Sequence, residues 1–278
     1  MMMMIHRFAF RRACLMAALA LASVGTLIAF GRLNATRPHL VYLTGWFLLG
    51  LMLYLTAFNA RKKLPFLPLI PARIWLQVHL YLGLFTGLVF LLHLRWHWPQ
   101  GWFEATLALM FLGVTFSGIF GWWLSRTLPK RLTTAGGEVP FERIPVIRRS
   151  LQLQAEKLVL GGILPANAST LADFYVSRLA DFFSRPANFR AHFFGSQRPL
   201  NQLLGQIAEI DRFINASEKK TVAELNELVR QKDMLDFHRA AQLTMKSWLF
   251  VHIPLTYGLL VFSVAHVVII YSFSGGAR

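Results

Sequence analysis

Five nearly uncharged apolar runs constrain this chain more than any other feature. They cover residues 13–30, 40–60, 75–99, 103–124 and 248–273. About twenty apolar residues suffice to cross a hydrocarbon core about 30 Å thick. Inside that core no water bonds to the backbone, so such a segment must close its hydrogen bonds internally as a helix. With 55% hydrophobic and 15% charged residues in 278, the composition belongs to an all-α integral membrane protein. The first run is longer than the roughly 7–15 apolar residues of a cleaved leader, so it is expected to be a retained span.

The formal charge of +16 is not read as a nucleic-acid surface. The basic residues flank the apolar runs, and no soluble face interleaves them with aromatics. If the N-terminus is cytoplasmic, the inner flanks hold Arg7, Arg11, Arg12, Arg61, Lys62, Lys63, Arg73, Arg126, Lys130, Arg131 and Lys246. The outer flanks then hold only Arg32, Arg37, Arg95 and Arg278. This bias predicts a multi-pass protein of a bacterial cytoplasmic membrane, with its N-terminus inside. Trp96, Trp98 and Trp102 suit the outer interface, and Pro65, Pro68 and Pro71 favour an extended connector between the second and third runs.

Between the fourth and fifth runs the composition changes. Residues 126–246 hold 12 of the 13 acidic and 18 of the 29 basic residues. Amphipathic patterns at 146–160, 169–183, 199–215 and 221–244 predict a helical cytoplasmic insertion. The expected organisation is therefore spans one to four in 1–125, the insertion in 126–246 and a fifth span in 247–278.

The third run carries His79 and His93, fourteen residues apart, and the fifth carries His252 and His266 at the same separation. Fourteen helical residues rise about 21 Å and make close to four turns, so both histidines of a run share nearly one face. Under the predicted topology the two spans are parallel, which pairs His79 with His252 and His93 with His266. Ionisable residues inside spans are costly and mark functional sites. Two pairs separated by most of the membrane do not suit a compact metal site. They suit two stacked b-type haems, each held by two imidazoles and dedicated to electron exchange. The single cysteine, Cys14, excludes covalent haem attachment, cysteine-ligated clusters and a disulfide framework.

Gly83 and Gly87 lie between the histidines of the third run, where glycine admits a flat cofactor. Gly113, Gly118 and Gly121 serve cofactor approach or helix packing equally well. Arg95 is a candidate partner for outer haem propionates, and Arg73 and Lys246 for inner ones. His97, His238 and His39 are weaker ligand candidates, because each sits at or beyond a span end. Glu104 reads as an interfacial carboxylate, with a proton-accepting role toward quinol, beside His97, as the sharper alternative.

The H-x13-H pattern of His79/His93 and His252/His266, with SGIFGWWL between, resembles the membrane domain of the ferric reductase and NADPH oxidase superfamily. It is also similar to dihaem b-type cytochrome subunits of respiratory complexes. The resemblance covers residues near 75–125 and 247–273. It implies transmembrane electron transfer through two haems b, with quinone as a further candidate cofactor. Residues 126–246 show no glycine-rich dinucleotide fingerprint. The donor and acceptor are therefore expected to be redox partner proteins or quinone, reached from within the lipid membrane. Two other readings remain at this point, a haem-free transporter or proton relay and a structural anchor of a complex.

Overall fold

The structure is a computed structural model, and it describes residues 2–34, 40–63, 71–134, 139–160, 169–210 and 216–274. The proline connector at 64–70, His39 and the C-terminal end lie outside them, as do the side chains of Arg73 and the N-terminal arginines. Every regular element among the described residues is helical. Among the described residues, five helices are long and apolar enough to cross a membrane. Contacts divide the chain into two units, Met1–Trp123 with Leu249–Arg278, and Leu124–Trp248.

The first unit contains α1 (Met2–Asn34), α2 (Leu40–Lys63), α3 (Ala72–His93), most of α4 (Trp102–Thr134) and the end of a helix that begins in the other unit. Its buried cluster joins Leu48 and Met52 of α2, Phe85, Val89 and Phe90 of α3, Ala108 and Phe111 of α4, and Leu259. Phe90 and Phe111 stack with their centres 4.0 Å apart. Large apolar side chains such as Leu21, Phe116, Phe250 and Val261 stay exposed, a surface that lipid covers at no hydrophobic cost. The hydroxyls of Thr56, Thr86, Thr115, Thr256 and Ser263 bond to carbonyls four residues earlier. Polar side chains are thereby satisfied within their own helices.

The third apolar run extends to residue 99, but α3 stops at His93. Arg95 and Trp96 take left-handed backbone angles, φ 50° and 62°, a conformation that costs a non-glycine residue about 1–2 kcal/mol. The Trp96 N–H bonds back to the Leu91 carbonyl at 3.2 Å. This closure satisfies a carbonyl that the helix end would otherwise leave open.

The second unit holds the end of α4, a 3-10 turn (Phe141–Arg143), α5 (Ile144–Leu160), α6 (Ser169–Phe174), a π-turn (Tyr175–Leu179), α7 (Ala180–Ser184), α8 (Phe189–Phe194), α9 (Arg198–Ile210) and the start of α10 (Ala216–Ser274). The sequence pattern predicts one helix over 169–183, whereas the structure inserts the π-turn. Tyr175, Leu179 and Phe183 all face the core. A four-residue repeat drifts about 40° per step on an α-helix, and the wider turn takes up that drift. The short α8 has no counterpart among the amphipathic patterns. α10 replaces the separate segments expected at 221–244 and 248–273, because no glycine or proline interrupts Met245, Lys246 and Ser247. Pro254 lies within the last part of α10.

The core of this unit also encloses charge. Lys232 and Asp236 are 0% and 3% exposed. The Lys232 ammonium donates to Asp236 Oδ2 at 2.6 Å and to the Arg185 carbonyl at 2.8 Å, and lies 4.0 Å from the centre of the Phe182 ring. Asp236 Oδ2 also accepts the Ala187 N–H at 2.9 Å, tying residues 185–187 to α10.

Tyr175 makes one prediction. Its hydroxyl is buried with no hydrogen-bond partner among the described residues. Burial, aided by the Glu156 carboxylate, pushes the phenol up to about 12 from 10.0. A folded-state value above the unfolded one contributes stability that is complete below pH 10 and lost as pH climbs through about 12. Tyr175→Phe is expected to remove that alkaline loss and to cost less than about 1 kcal/mol at neutral pH, because no bond is broken. Thermal unfolding of both proteins from neutral to alkaline pH checks it, and identical profiles would contradict it.

Candidate functional site

The four intramembrane histidines all lie in the first unit, two on α3 and two on α10. They meet in pairs. His79 lies within electrostatic reach of His252, and His93 within reach of His266. Lower number meets lower and higher meets higher, so α3 and this part of α10 run in the same direction. The close backbone packing of α3 is with α2 and α1, and α10 addresses it at the range of side chains. No three His, Cys, Asp or Glu side chains converge into a metal-binding group among the described residues.

Each ring has a distinct setting. His93 Nδ1 is 3.3 Å from Thr44 Oγ1 of α2, and the Thr44 hydroxyl itself donates to the Val41 carbonyl at 2.9 Å. A Cβ on Gly45 would lie 3.1 Å from Cε1 of the same ring, so the imidazole rests against glycine backbone. His252 Nδ1 is 3.1 Å from Ser117 Oγ of α4, and a Cβ on Gly118 would meet its Cε1 at 3.8 Å. His79 packs on Phe58 with ring centres 5.1 Å apart. His266 stacks on Phe103 at 6.3 Å. The Nδ1 atoms of His79 and His266 are buried without a hydrogen-bond partner among the described residues.

No family model, curated protein or solved structure matches the chain.

The residues suit two bis-histidine haems in three respects. The ligand candidates stand as two pairs and not as one cluster. Two of the rings carry a hydroxyl at Nδ1, the outer-sphere contact that orients a ligating histidine. A Cβ placed on Gly83 or Gly87 would meet no described atom within 4 Å, so close helix packing does not account for either glycine. By contrast Gly113 meets Leu255, and Gly258 meets Met110, at 3.3 and 3.1 Å. Those two glycines serve the approach of α4 to α10.

The remaining candidates separate. Arg95 is exposed in the turn after α3. His97 lies past the helix end, exposed, with Nδ1 2.6 Å from the Arg95 carbonyl. His238 belongs to the second unit, where it is 1% exposed. Lys246 sits 3.7 Å from the centre of the Phe141 ring and 3.8 Å from Glu142, which already engage its charge. The Glu104 carboxylate folds over Gly101 and acts electrostatically on His266.

Thr44, Gly45, Ser117 and Phe58 carry no mark in the sequence that would single them out. The hydroxyl–glycine pairs 44–45 and 117–118 are visible there, but so is Thr86–Gly87, whose hydroxyl merely bonds to Leu82 in its own helix at 2.7 Å.

Proposed function

We propose that this protein moves electrons across a bacterial cytoplasmic membrane by holding two haems b, one on His79 and His252 and one on His93 and His266. The observation that carries the reading is the pairing of these four side chains, level by level, between α3 and α10. Haem iron with imidazole at both axial positions supplies one-electron exchange and leaves no open position for oxygen or substrate. The chain contributes the ligands, their orientation and an apolar surround of Phe58, Phe103 and the cluster around Phe90 and Phe111. In this reading the five spans form one bundle, with the N-terminus and residues 126–246 cytoplasmic. Electrons are exchanged with partner redox proteins or quinone. The insertion, with 18 basic against 12 acidic residues, offers a docking surface for an acidic partner.

Protein purified in detergent is expected to show b-type bands in a dithionite-reduced minus oxidised spectrum, with close to two haems per chain by pyridine haemochrome. Folded but colourless protein would overturn the proposal. One observation favours a haem-free proton relay instead: the Glu104 carboxylate lies within electrostatic reach of His266. Colourless protein would leave that reading standing.

A further inference from the structure

We infer that Thr44–Gly45 on α2 and Ser117–Gly118 on α4 are matched positioning elements, one at each haem level, each seating one histidine with Nε2 directed to iron. This rests on the haem reading above and adds residues outside α3 and α10 to the site.

A neutral imidazole has one N–H donor and one acceptor nitrogen. The single hydrogen of the Thr44 hydroxyl is committed to the Val41 carbonyl at 2.9 Å. Toward His93 Nδ1, 3.3 Å away, Thr44 Oγ1 can therefore only accept. In the proposed seat the proton sits on Nδ1, within reach of Thr44 Oγ1, and the lone pair on Nε2 is left free to bind a metal; the Val41 carbonyl also lies within hydrogen-bonding reach of this ring. Glycine at 45 completes the seat. A ring so close to α2 would have to shift by a few tenths of an ångström for a Cβ, which would stand 3.1 Å from Cε1, 3.6 Å from Nδ1 and 3.9 Å from Nε2.

The second seat repeats the arrangement on another helix. Ser117 Oγ lies 3.1 Å from His252 Nδ1, and Gly118 follows it beneath Cε1. The fit is looser here, since a Cβ at 118 would make ordinary contact at 3.8 Å. Thr44 belongs to the level of His93 and His266, and Ser117 to that of His79 and His252. Each level then has one histidine seated by a hydroxyl and one, His266 or His79, whose buried Nδ1 has no such partner among the described residues. Outer-sphere hydrogen bonds of this kind fix the tautomer and raise ligand basicity, and losing one typically weakens metal binding by about 10–100-fold.

The test uses the full chain in detergent, with haem content, reductive titration and low-temperature electron paramagnetic resonance as readouts. Thr44→Val keeps volume and removes the acceptor. It is expected to raise the midpoint potential of one haem only, to change that haem's resonance and to weaken its retention by about 10–100-fold. Thr44→Ser restores all three. Ser117→Ala produces the same changes at the other haem. Gly45→Ala displaces the haem that Thr44→Val affects. Should Thr44→Val not fold, Ser117→Ala and its level-specific shift decide the matter. Two-haem wild-type protein whose Thr44→Val and Ser117→Ala variants keep both potentials and both resonances overturns the seating role alone. Haem-free wild-type protein overturns the haem reading itself.

Discussion

On the two-haem proposal, His252→Leu is expected to halve the haem content, from close to two per chain to close to one, and to abolish one of two midpoint potentials. His252 and His266 stand about 21 Å apart along α10, so removing one imidazole leaves the other pair intact. The haem that keeps only His79 loses an axial bond and the Ser117 contact made through His252. His79→Leu should remove that same haem, and the double replacement should remove no more than either single one. His93→Leu removes the other. Pyridine haemochrome stoichiometry with a reductive titration measures all four variants. Equal loss of both haems in His252→Leu, or a further loss in the double variant, would refute the level-by-level pairing.

Asp236→Ala is expected to destabilise the unit Leu124–Trp248 by roughly 3–5 kcal/mol, because it leaves the buried Lys232 ammonium without its hydrogen-bonded counter-charge and with only the weaker attraction of Asp233. The carboxylate receives both the ammonium at 2.6 Å and the Ala187 N–H at 2.9 Å, so its loss also releases the Ala187 N–H from α10. The Arg185 carbonyl and Phe182 ring still face the lysine, but neither carries a negative charge. Replacing both partners, Lys232→Met with Asp236→Leu, should recover most of the loss, since an apolar pair of similar volume avoids the desolvation of two ions. Hydrogen exchange over residues 185–194 and the start of α10, together with thermal unfolding in detergent, reports the change. A cost below about 1 kcal/mol for Asp236→Ala would mean that the pair is worth no more than an exposed one.

The apolar runs alone determined that this chain folds into helices long enough to cross a membrane. Backbone polar groups in hydrocarbon have no partner but their own helix, so hydropathy and length suffice. The spacing of His79, His93, His252 and His266 is likewise a property of the sequence. Helix ends and continuity were less legible. α3 stops at His93 through a left-handed turn at Arg95 and Trp96 that takes no glycine. α10 runs unbroken from Ala216 to Ser274 across a change in composition that reads as a boundary. Burial of Lys232 was also invisible, because a lysine and an aspartate four residues apart are ordinarily a solvated pair. Only the tertiary structure decided what surrounds each histidine. Thr44 is 49 residues from His93 and Ser117 is 135 from His252. Spans that are apolar all round carry no pattern to say which face turns inward. The rotation of each helix, and with it the hydroxyl that meets each ring, is set by packing such as Phe90 on Phe111 and Gly113 against Leu255.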